Sequence, residues 1–145
     1  MIRVMFDANV LVSGFSATSG AVAELIERWQ TEQFQLVVSE SILAEVARAW
    51  KKPYWRARFS SEQVARAMTL VRFEAEVTDI AVQVTGVATH VEDDLVLAAA
   101  FSGQVDYLVT GDKGLLELGA YSGVTVLSPS AMLRTLETRG ERRKP

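Results

Sequence analysis

Residues 91–118 read VEDDLVLAAAFSGQVDYLVTGDKGLLEL, and their pattern decides the fold class. Three acids, Glu92-Asp93-Asp94, open a helix whose body, Leu95 to Phe101, is apolar all round. Such a helix is normally buried. Asp106 to Thr110 reads as a strand, and Gly111-Asp112 leads into a short helix from Lys113 to Leu118. A buried helix feeding an apolar strand, which feeds another helix, marks a parallel sheet covered on both faces.

The alternation extends outward in both directions. Ile2 to Phe6 reads as a buried strand ending near Asp7, followed by a turn at Asp7-Ala8-Asn9 and a second apolar stretch, Val10 to Val12. Ser13 to Gly20 is rich in serine and glycine and reads as a loop. Val22, Leu25, Ile26 and Trp29 recur at helical spacing and predict a helix over Ala21 to Trp29. Gln35 to Val38 is strand-like, and Ser39 suits the cap of a helix reaching about Trp50, which Lys51-Lys52-Pro53 breaks. Ser60 or Ser61 can cap a third helix to roughly Phe73. Glu74 to Thr89 fits either a short helix or extended segments. Val124 to Leu127 is a last strand, and Ser128-Pro129 opens a helix to about Glu137. The expected fold is a three-layer α/β/α sandwich around a central, mostly parallel sheet. It forms one domain over residues 1–138, followed by a basic tail at 139–145.

Composition narrows the class. The 145 residues are 49% hydrophobic and 23% charged, ordinary for a globular protein and far from disordered chains. No apolar run reaches about 18 residues, so no membrane span is expected. The absence of cysteine excludes a disulfide framework and a thiolate metal site. With no basic-then-apolar leader visible, a soluble, cytoplasmic protein is the expectation. The net charge is −3, yet Arg48, Lys51, Lys52, Arg56, Arg58, Arg66 and Arg72 form a run opposed only by Glu62. Such a run is either a solvated helical face or a surface for a polyanion.

Ligands of open parallel sheets gather at the carboxyl ends of the strands. Asp7 and Asp112 each follow a strand, and the run Glu92-Asp93-Asp94 opens the buried helix. Each acid singly suits a helix cap. Three adjacent acids exceed the needs of one cap, and carboxylates crowded at one sheet edge are costly without a cation. Glu45 sits at the border of its helix's apolar arc, where it can look into a cleft. Oxygen ligands alone favour Mg²⁺ or Mn²⁺ over zinc, and the single His90 reads as a loop or strand-end residue. Hard cations held by carboxylates activate water and steady a phosphodiester transition state. No phosphate loop, Cys-His pair or nucleophile elbow is present.

These pieces, in order, resemble a PIN domain: Phe6-Asp7-Ala8-Asn9-Val10-Leu11-Val12-Ser13, a helical Glu45, Glu92-Asp93-Asp94-Leu95-Val96-Leu97-Ala98-Ala99-Ala100, and Tyr107-Leu108-Val109-Thr110-Gly111-Asp112-Lys113-Gly114-Leu115-Leu116. The ending Val126-Leu127-Ser128-Pro129, leading to Met132-Leu133, is similar too, and the likeness spans nearly the whole chain. It points in particular to the branch described as toxin components of bacterial toxin–antitoxin systems. The resemblance implies a Mg²⁺- or Mn²⁺-dependent endoribonuclease in which water attacks an RNA phosphodiester in line. Its catalytic and metal-binding residues would be Asp7, Glu45, Asp94 and Asp112, with Asp94 preferred over Asp93 on motif spacing. Asn9, Ser13, Asp93 and Thr110 would be hydrogen-bonding groups behind them. Arg48, Lys51, Lys52, Arg56 and Arg58 would guide the RNA, and Trp50, Tyr54, Trp55 and Phe59 either stack on bases or pack between helices, Trp55 being the first candidate for stacking. The implied partners are RNA, an antitoxin protein and a second copy in a homodimer, for which an exposed Leu, Val or Trp face on the first helices would be the natural patch.

Two other readings compete. A non-catalytic RNA- or protein-binding module on the same fold would be indifferent to metal. An aspartate-dependent phosphatase needs an acid two residues beyond its nucleophile, where this chain has Asn9. A response-regulator receiver fits less well still, since no phospho-accepting aspartate follows Val37-Val38.

Overall fold

The computed structural model describes residues 1–80, 82–88 and 91–143, with side chains through Gly140. His90 therefore lies outside the described residues. In chain order the elements are β1 (Arg3–Phe6), α1 (Ala8–Ser16), α2 (Ala21–Gln30), β2 (Gln35–Ser39), α3 (Glu40–Trp50), α4 (Pro53–Arg56), α5 (Ser61–Glu74), β3 (Glu76–Thr78), α6 (Val91–Ser102), β4 (Tyr107–Val109), α7 (Lys113–Leu118), β5 (Ala120–Tyr121), β6 (Val124–Leu127) and α8 (Pro129–Arg143).

The strands form one sheet in the order β3-β2-β1-β4-β6-β5, every neighbouring pair parallel except β5 with β6. The chain steps outward from β1 to β2 to β3, then crosses back to β4 on the far side of β1. Right-handed crossovers in these two directions put α1–α5 on one face and α6 on the other, the expected three layers. The strand order reverses between β1 and β4, so the crevice outside their carboxyl ends is the topological switch point. Val4, Met5, Phe6, Leu36, Val37, Val38, Leu108 and Val109 of β1, β2 and β4 are wholly buried. Burying a side chain of this size stabilises the fold by about 1.5–3 kcal/mol.

Local chemistry accounts for the ends of the helices. Asp7 Oδ1 accepts from the Val10 amide at 2.9 Å, so the expected turn at 7–9 is the capped start of α1. The helix runs on through Ser13 and Gly14, where a loop was expected. Gly14 permits a close approach there, since a Cβ would stand 2.8 Å from Ile26 Cγ1 of α2. Ser39 caps α3 through the Ile42 amide at 3.1 Å, and Ser60 forms a reciprocal capping box with Gln63. Among its described residues, the ambiguous stretch after Glu74 yields the short β3 as its one regular element. β5 was not anticipated, and α8 continues past Glu137 into the segment read as a tail.

α6 departs from burial on all sides: Val96 to Ala100 are buried, but Leu95 and Phe101 are 42% and 40% exposed. The helix covers one face of the sheet, and these two side chains lie on its outer side. Its last turn is anchored hard. Arg3 Nε and Nη2 donate to the Gly103 carbonyl at 3.0 and 2.7 Å, and a Cβ at Gly103 would lie 2.9 Å from Val37 Cγ1. Leu25, Ile26 and Trp29 of α2 are buried, so the apolar face considered for pairing is core. The exposed large apolar side chains include Phe73, Val91, Leu95 and Phe101 instead. Among the described residues no single helix is long and apolar enough to cross a membrane.

Candidate active site

Phe6 of β1 stands opposite Val109 of β4, which makes Asp7 and Thr110 the next pair beyond the strand ends. The Asp7 amide donates to the Val109 carbonyl at 3.1 Å. The Thr110 hydroxyl donates to Asp7 Oδ2 and itself accepts from the Asp112 amide at 3.0 Å. Asp112 Oδ2 accepts from the Leu115 amide at 2.9 Å and caps α7. Asp7 and Asp112 are therefore helix caps, and the charge of Asp112 is felt at Asp7. Asp7 is 9% exposed, and burial pushes its carboxyl above the usual aspartate range. The bonds from Thr110 and Val10 oppose this shift, while the charges of Asp112 and Asp93 add to it.

Glu45 reaches the same field from α3. It is half-buried, as its wheel position predicted, and burial is the main cause raising its carboxyl. Arg48, one turn along, pulls it back, whereas Glu92, Asp7 and Asp93 push it further up. Asp93 thus acts on both Asp7 and Glu45, and Glu92 joins in, a contribution the motif reading did not assign.

Asp94 is engaged elsewhere. Its Oδ2 accepts from the Gly86 amide at 3.0 Å and its Oδ1 from the Ala88 amide at 2.7 Å. It is 5% exposed and lines a cavity with Ile80, Val84 and Leu95. Successive helical residues point about 100° apart, so Asp93 and Asp94 leave α6 in different directions. Asp94, preferred on motif spacing, is held by the Gly86 and Ala88 amides, while the charge of Asp93 acts on Asp7 and Glu45. Asn9 is exposed and Ser13 half-buried along α1.

The basic run divides. Arg48, Lys51, Lys52 and Arg56 are exposed near the end of α3 and on α4. Arg58 lies over the Tyr54 ring, 3.8 Å from its centroid, and donates to the Tyr54 carbonyl at 2.8 Å. Arg72 is paired with Glu40 at 3.0 Å. Trp50 is buried, and Trp55 and Phe59 pack partly against the core. Tyr54, 57% exposed, is the open aromatic ring of this group, rather than Trp55.

Among the described residues no three His, Cys, Asp or Glu side chains lie close enough together to hold a metal ion as they stand. The donor chemistry nevertheless fits Mg²⁺ or Mn²⁺: the field contains carboxylates, Asp7 is raised by two neighbouring negative charges, and no thiolate is available. Mg²⁺ needs only one or two direct carboxylates and keeps several waters, so a looser set than a closed cage suits it.

A parallel α/β sandwich with acids gathered at its switch point is the class of protein these features define. The family described as PIN domain matches residues 3–114, and the chain belongs to that family, whose members are generally nucleases that use divalent metals. Two solved structures show the same fold. PAE2754 from Pyrobaculum aerophilum aligns with a TM-score of 0.67 at 19% identity, covering 94% of this chain and 90% of that one. The T. brucei RRP44 PIN domain aligns with a TM-score of 0.53 at 16% identity, covering 97% and 85%. No curated protein matches the chain.

Proposed function

We propose that this PIN domain is a metal-dependent endoribonuclease hydrolysing RNA phosphodiesters at the β1–β4 crevice. The observation that carries the reading is Asp7: a buried carboxylate fixed by Thr110 and Val10, with Asp112 and Asp93 pressing negative charge on it. Asp7, Asp93 and Asp112 would hold Mg²⁺ or Mn²⁺, with Glu45 at the edge. Asp94 takes the ligand's place only if it leaves the Gly86 and Ala88 amides. The cation supplies activation of water and neutralisation of charge on the phosphodiester. Thr110 holds Asp7 in one orientation, and Glu45, its carboxyl raised chiefly by burial, would take up a proton at the edge of the crevice. Arg48, Lys51, Lys52 and Arg56 would draw the RNA backbone by charge.

The proposed setting is the cytoplasm, as the toxin component of a toxin–antitoxin pair, with an antitoxin protein and a second copy of the chain as partners. The sequence resemblance supports that part. The test is cleavage of mixed single-stranded RNA with Mn²⁺ or Mg²⁺, against EDTA and Asp7→Asn controls. Cleavage lost in both controls supports the reading; cleavage that survives Asp7→Asn overturns it. A non-catalytic RNA-binding module is the second reading, favoured by the separation of the acids as they stand. Metal-independent RNA binding without cleavage would select it. Trapped aspartyl phosphate would instead select the phosphatase.

A further inference from the structure

α5 packs inward through Ala67 and Val71, which are buried. Its outward face carries two rows at helical spacing: Ala65, Thr69 and Phe73, and beside them Arg66, Leu70 and Glu74. These six residues line one shallow groove of about 480 Å³. Phe73, at 84%, is the most exposed large apolar side chain among the described residues. Arg66 and Glu74 are exposed too, and neither forms an ion pair among the described residues.

Single exposed apolar side chains are ordinary. Phe73 differs in what shares its row. Ala65 and Thr69 are small and leave a hollow between them, and Arg66 beside it can cover an aromatic face. That hollow is centred six residues, about 9 Å, back along α5, beyond the reach of Phe73's own ring. The charges stand in a matching relation. Arg66 and Glu74 lie four residues either side of Leu70, about 6 Å each way.

A two-fold axis through Leu70 lays a second α5 antiparallel on the first. Such an axis sets Arg66 of each copy against Glu74 of the other, twice over. It also brings each Phe73 level with the hollow between Ala65 and Thr69 of the other. Other registers bring like charges together. An axis at Met68 sets Glu62 against Glu74, and one at Arg66 or Glu74 sets that residue against itself. Parallel pairing does the same to both Arg66 and Glu74, and like charges in contact select against it.

We infer that this face of α5 docks a second copy of the chain, α5 against α5, antiparallel, with Leu70 on the two-fold axis. This gives a surface to the second copy proposed above, and rests on that reading for the occupant but not on the reaction at Asp7. One helix from each copy makes a small interface, so the dimer is expected to dissociate on dilution with a Kd of about 10–100 µM.

The experiment is sedimentation of the full chain over a concentration series, in EDTA and without RNA. Phe73→Ser, Arg66→Glu and Glu74→Arg are each expected to weaken the dimer about tenfold or more. All three positions are exposed, so urea unfolding of the dilute variants is expected to match the parent. An equimolar mixture of Arg66→Glu with Glu74→Arg is expected to pair as tightly as the parent, because each then meets its opposite charge at both contacts. A parent that stays monomeric at about 1 mM overturns both this surface and the second-copy reading. A dimer unmoved by the three variants keeps the second copy and overturns the surface. Single variants that weaken the dimer without recovery in the mixture overturn the antiparallel register.

Discussion

The Thr110 hydroxyl donates to Asp7 while accepting from the Asp112 amide, so one side chain ties the ends of β1 and β4 and the start of α7 into a single unit. Thr110 is wholly buried, which leaves no water to take its place. Removing the hydroxyl while keeping the shape, Thr110→Val, leaves a buried carboxylate short of a donor. Loss of a hydrogen bond to a charged group costs about 1.5–3 kcal/mol. The variant is expected to unfold at lower urea and, under the proposed reaction, to cleave RNA about 10–100-fold more slowly. Thr110→Ser should recover most of both.

Asp7 also sets a pH dependence. Its folded carboxyl lies above the ordinary 3.8, chiefly through burial. A group raised on folding contributes stability that is full below its unfolded value and is lost as pH rises through its folded value. Ionised Asp7 therefore weakens the fold at neutral pH. Asp7→Asn should gain stability relative to the parent as pH is raised from about 4 to 8, while losing cleavage. Urea unfolding of both proteins across that range, in EDTA, is the measurement. A difference independent of pH would show that Asp7 is not the titrating group.

A bound cation should reverse that penalty. Under the proposed function, Mn²⁺ or Mg²⁺ raises the Tm of the parent, by about 2.7 kcal/mol of stabilisation at a hundredfold excess over Kd. EDTA should remove the gain, and a variant carrying both Asp7→Asn and Asp93→Asn should show none. Thermal melts with and without each metal decide it.

Asp93 and Asp94 should part company. Asp93→Asn is expected to abolish the metal-induced rise in Tm while leaving the Gly86 and Ala88 amides protected from exchange. Asp94→Ala should expose those two amides, which its carboxylate accepts from, and keep most of the metal response. The opposite pattern would make Asp94 the direct ligand.

The differing legibility of these elements has physical causes. Ser39, Ser60 and Asp112 are side chains whose capping bonds follow from residue type and position, so α3, α5 and α7 were readable. α1 was not, because Ser13 and Gly14 signal a loop by composition, whereas Gly14 is there to let Ile26 approach. β5 is two residues long, too short to carry a period. Glu45 was placed by the amphipathic wheel of α3. The turn of α6 about its axis could not be placed that way, since a helix apolar on every side has no phase to read. The bonds of Asp94 to the Gly86 and Ala88 amides therefore needed coordinates, as did the pairing of Arg72 with Glu40 and the burial of Trp50.

The anchoring of Gly103 makes α6 a lever with its fulcrum at one end. Arg3 and Val37 hold the carboxyl end against the sheet, while the acids ride at the other. Over the length of the helix, about 18 Å at 1.5 Å per residue, a swing of roughly 3° carries the far end about 1 Å. The bonds of Asp94 to the Gly86 and Ala88 amides hold the far end, so the gap between the acids of α6 and those of β1 and α3 depends on both anchors. A substitution at Arg3 removes one of those anchors without touching a single acid of the crevice.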